Sequence, residues 1–146
     1  TVYAVDSWKR GIFNLVPPKD LIRSVVNAVK MGYVSLNDLL SVNKGVEKDF
    51  DNRCKDLNNI IKIKEDSVTA SNTLSHKRFD FVYLDALHDY KSVMTDIKSW
   101  RNLVKPGGYI GGHDYCEGWP DVIKAVDETF GAPDKTFMDT SWVVQL

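Results

Sequence analysis

The chain has 146 residues, 43% of them hydrophobic and 27% charged, a size and composition that exclude a disordered tail and suit one folded domain. Its 19 lysine and arginine residues against 20 aspartate and glutamate residues leave a net charge of −1, which excludes a strong field for attracting nucleic acid or anionic lipid. No apolar run approaches the roughly 20 residues that cross a bilayer. We therefore expect a single cytoplasmic domain over residues 1–146, with no nucleic-acid or membrane partner.

Strand-like and helix-like segments alternate along the chain. Short β-rich runs, each followed by at least one acidic residue, predict strands at residues 2–5, 60–63, 79–84 and 108–112. Apolar residues at three- and four-residue steps predict helices at residues 17–32, 90–103 and 119–130, with one or two more within 38–58. The tail favours further strands at 135–137 and 141–146. This alternation predicts an α/β fold with a parallel sheet.

Polar residues follow each of the four predicted strands. Ligands of open α/β sheets bind outside the carboxyl ends of the strands, so we expect these residues to meet at one rim. They are Asp6-Ser7-Trp8, Asp66-Ser67, Asp85 with His88, and His113-Asp114. Clustered carboxylates need hydroxyl donors, a metal ion or a cationic ligand to offset their repulsion. The alternative is that the acids simply cap the helices that follow.

Each group suits a particular chemistry. An acid after the first strand, Asp6, suits the two hydroxyls of a ribose, and Asp66 with Ser67 could bond an adenine edge or cap the next helix. Asp85 offers oxygen to a divalent cation, while His88 can take a proton near neutral pH. Asp114 adds a second carboxylate that could share that cation.

Two segments carry a resemblance to a known family. Residues 85–90 read DALHDY and residues 105–115 read KPGGYIGGHDY. These segments resemble the DxxHxY and KPGGxIxGHDY signatures of a small-molecule group of class I S-adenosylmethionine-dependent methyltransferases, methyltransferase family 24. Residues 2–8, VYAVDSW, resemble the second strand of that group, and residues 141–143 its closing strand. Over residues 9–58 the likeness is faint.

The resemblance implies a Rossmann-like sheet, mostly parallel, with an antiparallel C-terminal strand. It implies S-adenosylmethionine as cofactor, methyl transfer to a hydroxyl of a small molecule, and a cofactor site made of Asp6, Ser7, Trp8, Asp66, Ser67 and Asp85. In the catechol O-methyltransferase branch, acids at the positions of Asp85 and Asp114 bind magnesium and a lysine at the position of His88 is catalytic. We therefore expect His88 to be the base, and Asp85, Asp114 and His113 to hold Mg²⁺ or another divalent cation.

One departure from the family concerns its first strand and glycine-rich loop, which have no counterpart after Thr1. We therefore expect a domain that lacks its N-terminal strand, binds S-adenosylmethionine weakly by itself, and exposes a strand edge that favours a homodimer. Two other functions stay open at this point. One is a truncated, non-catalytic domain or assembly module, and the other is a metal-dependent hydrolase that uses the acidic rim without the cofactor.

Overall fold

The computed structural model describes residues 1–8 and 46–146, which form two compact units, Thr1–Glu65 and Asp66–Leu146. The predicted helix at 17–32 and the first part of the 38–58 segment lie outside the described residues. A single domain over all 146 residues stays a prediction.

The first unit contains a pair of parallel strands. Strand β1 (Val2–Val5) pairs with β2 (Ile60–Ile63), and both have the predicted bounds. Helix α1 (Val46–Cys54) lies within the predicted helical segment. Its Glu47 and Asp51 bind the ammonium group of Lys62 at 2.9 and 2.7 Å.

The second unit is built on a four-stranded sheet in the order β3-β4-β6-β5. The strands are β3 (Phe79–Leu84), β4 (Val104–Gly112), β5 (Lys135–Thr136) and β6 (Trp142–Gln145). The first two are parallel, and β6 runs antiparallel to both of its neighbours, β4 and β5. Strands β3, β4 and β5 therefore run in one direction and β6 runs in the other. This confirms a mostly parallel sheet with an antiparallel C-terminal strand.

Three helices belong to the second unit: α2 (Ser67–Thr73), α3 (Tyr90–Arg101) and α4 (Pro120–Phe130). The Asp89 side chain caps α3 by accepting from the Ser92 amide, and Gly131, with φ +86°, ends α4. The core contains side chains from the helices and from one face of the sheet. Its most buried large residues are Ile97, Ile110 and Val126.

Successive strand residues point to opposite faces of the sheet, and the two faces differ in exposure. On β3, Val82 is buried, whereas its neighbours Phe81 and Tyr83 are 53% and 46% exposed. Tyr109, which pairs with Phe81 across the sheet, is 43% exposed.

Among the described residues, no helix combines the length and the apolar character needed to cross a membrane.

Candidate functional site

The carboxyl ends of β3 and β4 lie side by side. Leu84 pairs with Gly112 in the parallel register, and the next amide, that of His113, donates to the Leu84 carbonyl oxygen at 3.2 Å. Asp85 directly follows β3, and His113 and Asp114 directly follow β4. The register therefore brings these residues to one edge of the sheet, as the sequence predicts.

The Asp114 carboxylate lies between two imidazoles. Its Oδ2 is 2.7 Å from His88 Nε2, and its Oδ1 is 3.1 Å from His113 Nδ1. Asp85 completes the group, with Oδ1 3.6 Å from His88 Nε2. The hydrogen bond that His113 donates to Asp114 raises the pKa of His113 above its ordinary value, with smaller contributions from the charges of Asp114, Asp85 and Asp139.

The His88 ring is held from two sides. Trp119 stacks on it, with ring centroids 4.5 Å apart and planes 29° apart. Nε2 is shielded from solvent, and despite its closeness to Asp114 it has no aligned hydrogen-bond partner within residues 1–8 and 46–146. The 2.7 Å contact with Asp114 Oδ2 therefore lacks the alignment of a hydrogen bond, and it places the nitrogen close to two carboxylates.

A small open hollow lies at this end of the sheet. Asp85, His88 and His113 line it together with apolar residues and with one acid that the sequence reading missed, Asp96. Asp96 is only 7% exposed, and its burial raises the pKa of its carboxyl group, an effect that a hydrogen bond with Ser67 opposes.

The signal for Asp96 was present in the spacing of α3. Val93, Asp96, Ile97 and Trp100 recur at three- and four-residue steps and are all buried. The position of Asp96 on the apolar stripe could therefore have identified it as a buried acid.

The donor set at the end of the sheet suits a divalent cation. Asp85, His113 and Asp114 each offer a ligand atom, and these atoms all lie within 4.8 Å of one another. Carboxylate oxygen and imidazole nitrogen are both common ligands of divalent transition metals, whereas Mg²⁺ prefers oxygen. The residues present therefore fit such a cation, and their role as its ligands stays a prediction.

Asp6, Ser7 and Trp8 belong to the first unit. The Asp6 amide donates to the Ile63 carbonyl at 3.2 Å, and Asp6 Oδ1 accepts from the Trp8 amide at 2.8 Å. The Trp8 ring packs 5.0 Å from that of Phe50, with the Lys62 ammonium group 5.1 Å from its centroid. The role of these three residues in cofactor binding, and their convergence with the other strand ends, stay predictions.

Asp66 and Ser67 have structural partners of their own. Asp66 caps α2, since its carboxylate accepts from the Thr69 amide at 3.0 Å and from the Thr69 hydroxyl at 2.7 Å. These two bonds lower the pKa of Asp66. Ser67 Oγ accepts from Trp100 Nε1 at 2.9 Å. The helix-capping alternative is confirmed for Asp66, and the adenine contact stays a prediction.

Solved structures of two O-methyltransferases share the fold of this chain. One is the O-methyltransferase NovP, with 18% identity and a TM-score of 0.61, which aligns over 99% of this chain and 59% of its own. The other is apo CalS11, a TDP-rhamnose 3′-O-methyltransferase of calicheamicin biosynthesis, with 11% identity and a TM-score of 0.54, over 98% of this chain and 57% of its own. This chain thus spans less than three fifths of either protein.

Comparison with curated protein sequences gives no significant match. A family model described as a methyltransferase domain, that of methyltransferase family 24, matches residues 1–115. Because this match covers most of the chain, and the α/β fold agrees with it, the chain belongs to this methyltransferase family.

Proposed function

We propose that this chain carries the catalytic residues of an S-adenosylmethionine-dependent O-methyltransferase that acts on a hydroxyl group of a small molecule with the help of a divalent cation. The observation that carries the proposal is the contact of the Asp114 carboxylate with both His88 and His113, beside Asp85. Family membership supports methyl transfer. The names of the two similar structures support oxygen as the acceptor atom, and CalS11 is named for a sugar hydroxyl.

His88 would act as the base. Because Nε2 lies against the carboxylates of Asp85 and Asp114, Nδ1 is the nitrogen that would take the proton from the acceptor hydroxyl. Asp114 would then stabilise the imidazolium, and the stacked Trp119 would keep the ring in place. General base catalysis of this kind is worth about 10²–10⁴-fold in rate.

The remaining predicted residues would bind and orient the reactants. Asp85, His113 and Asp114 would hold the cation, and Asp6 with Ser7 and Trp8 would bind the ribose of the cofactor. Asp66 and Ser67 would lie near its adenine. When bound, S-adenosylmethionine supplies an electrophilic methyl group and the cation lowers the pKa of the acceptor hydroxyl. Much of the rate would come from alignment of the two reactants.

The test compares His88→Ala with His76→Ala in the intact protein. His76 is an exposed histidine of the same unit and serves as the matched control. We expect His88→Ala to lower methyl transfer from labelled S-adenosylmethionine to small hydroxylated acceptors at least about 10²-fold, with cofactor binding by calorimetry unchanged. Full transfer by His88→Ala would remove His88 from the mechanism. Full methyl transfer after chelation and in Asp85→Asn would show that the cation takes no part in the reaction.

Oligomeric state and location are separate proposals. We expect a homodimer in the cytoplasm. Sedimentation that gives a monomer at all concentrations used for the assay would contradict the first of these.

A further inference from the structure

We propose that the hydrogen bond between Tyr115 and Asp127 positions the Asp114 carboxylate, which makes Tyr115 and Asp127 positioning residues of the site. The inference rests on the proposed function for what Asp114 does in the reaction. The clamp itself, defined as the Tyr115 hydroxyl bonded to Asp127 Oδ1, does not depend on that function.

Asp114 has a backbone conformation that needs support. Its φ is +64°, in the left-handed region that residues with a Cβ seldom adopt, although aspartate tolerates it better than most. Its carboxylate must nevertheless reach His88 with one oxygen and His113 with the other. A change in this backbone would swing the carboxylate away from both imidazoles.

The residue that follows Asp114 is tied to two different elements. The Tyr115 amide donates to the Thr140 carbonyl oxygen at 3.0 Å, in the loop between β5 and β6. The Tyr115 hydroxyl donates to Asp127 Oδ1 on α4 at 2.8 Å. Because Tyr115 is bonded directly to Asp114, holding both ends of Tyr115 also holds the backbone of Asp114.

The backbone partner is itself well held. Thr140 has φ +69°, its amide donates to the Phe137 carbonyl at 3.0 Å, and the next amide, that of Ser141, donates to Asp139 Oδ1 at 3.1 Å. The side-chain partner is a carboxylate on α4, that of Asp127, which accepts from the Tyr115 hydroxyl at 2.8 Å. Both ties therefore join Tyr115 to other parts of the same unit.

The next residue of α4 provides a matched control. Glu128, which is exposed, also accepts a hydrogen bond from a tyrosine hydroxyl, that of Tyr90. Tyr90 is at the start of α3 rather than beside Asp114. Removing the carboxylate of Glu128 therefore deletes the same kind of bond from the same helix without loosening Tyr115.

Nuclear magnetic resonance of the folded protein tests the clamp. The Cα and Cβ shifts of Asp114 and its amide-to-Hα coupling report φ, and they are measured in the wild type, Tyr115→Phe, Asp127→Ala, Asp127→Asn and Glu128→Ala. We expect the left-handed signature to be lost in the first two variants and kept in Asp127→Asn, which retains an acceptor oxygen, and in Glu128→Ala. An unchanged Asp114 in Tyr115→Phe would overturn the proposal. If Asp127→Ala does not fold, Tyr115→Phe, which removes a single oxygen atom, decides.

Mn²⁺ binding, followed by electron paramagnetic resonance, separates this proposal from the proposed function. Loss of partners that orient metal ligands commonly weakens metal binding about 10–100-fold, so we expect roughly tenfold weaker Mn²⁺ binding in Tyr115→Phe and none of this loss in Glu128→Ala. A wild-type protein that binds no Mn²⁺ would contradict the cation site. The resonances of Asp114 would still show whether the clamp holds the backbone of Asp114.

Discussion

Gly112 on β4 lies so close to Leu84 on β3 that a Cβ at Gly112 would be 2.5 Å from the Leu84 carbonyl oxygen and 2.9 Å from Trp142 Nε1. Backbone cannot yield at that distance without separating the strands. The absence of a side chain at Gly112 thus allows the strand ends that carry Asp85 and His113 to approach.

We predict that Gly112→Ala lowers the free energy of unfolding by about 1–3 kcal/mol, the usual cost of overpacking, and weakens any cation binding. Urea unfolding measures the first effect. The control is Gly118→Ala, because a Cβ there would meet only Cys116 Sγ at an ordinary 3.7 Å. Equal stability of the two variants would show that β3 and β4 can adjust.

His113 predicts a pH dependence of stability. Its pKa is raised in the folded protein, chiefly by the hydrogen bond with Asp114. The resulting stabilisation is fully present below the unfolded pKa of about 6.5 and is lost as the pH rises through the higher folded pKa. We therefore expect the difference in unfolding free energy between the wild type and His113→Gln to be larger at pH 5.5 than at pH 8.5.

Urea unfolding at these two pH values measures the difference. His76→Gln, which changes an exposed histidine, is the control. A difference that grows toward alkaline pH would have the wrong sign and would contradict the contact between His113 and Asp114.

For Asp96 we predict a substitution that raises the stability of the folded protein. Burial raises its pKa, so ionisation of Asp96 costs stability as the pH rises from the ordinary carboxyl range through the folded pKa. Asp96→Asn keeps an acceptor for Ser67 and removes the charge. We expect it to raise the melting temperature at pH 7 by roughly 2–4 °C, equivalent to about 1 kcal/mol, and to have less effect at pH 4. A lower melting temperature at pH 7 would show that the ionised carboxylate is stabilising.

Two substitutions at Asp66 distinguish its capping role from its proposed contact with adenine. Asp66→Ala removes the cap of α2 and should cost about 1 kcal/mol of unfolding free energy, whereas Asp66→Asn keeps a capping oxygen and should cost far less. Calorimetry with S-adenosylmethionine is then made on Asp66→Asn. If Asp66→Asn is as stable as the wild type but binds S-adenosylmethionine more weakly, the result supports the adenine contact. Equal binding by the two proteins would contradict that contact.

The strands and the meeting of the ends of β3 and β4 could be predicted from the sequence because both depend on local pattern and on parallel topology. The predicted bounds of β1, β2 and β3 are those of the structure. Strand β4 begins earlier than predicted, at Val104, and continues through the Pro106-Gly107 turn signal with a break in register opposite β3. Pairing with β3 and β6 outweighs the local preference for a turn.

The partners of the site residues were not predictable in the same way. The stacking of Trp119 on His88 and the bond from Tyr115 to Asp127 join residues on different elements, and their geometry depends on how α4 packs. The sequence shows that Asp114 follows a strand, but a positive φ there depends on the hydrogen bonds of the next residue. Spacing alone contains no information on either point.

The left-handed backbone at Asp114 limits how the site can be redesigned. Asparagine and glycine tolerate this conformation, whereas glutamate is strained in it. A longer acid therefore cannot replace Asp114 without loss of stability. An engineer who wants a different ion preference would do better to vary Asp85 or His113, neither of which has a positive φ. Natural substitution at position 114 should be limited in the same way.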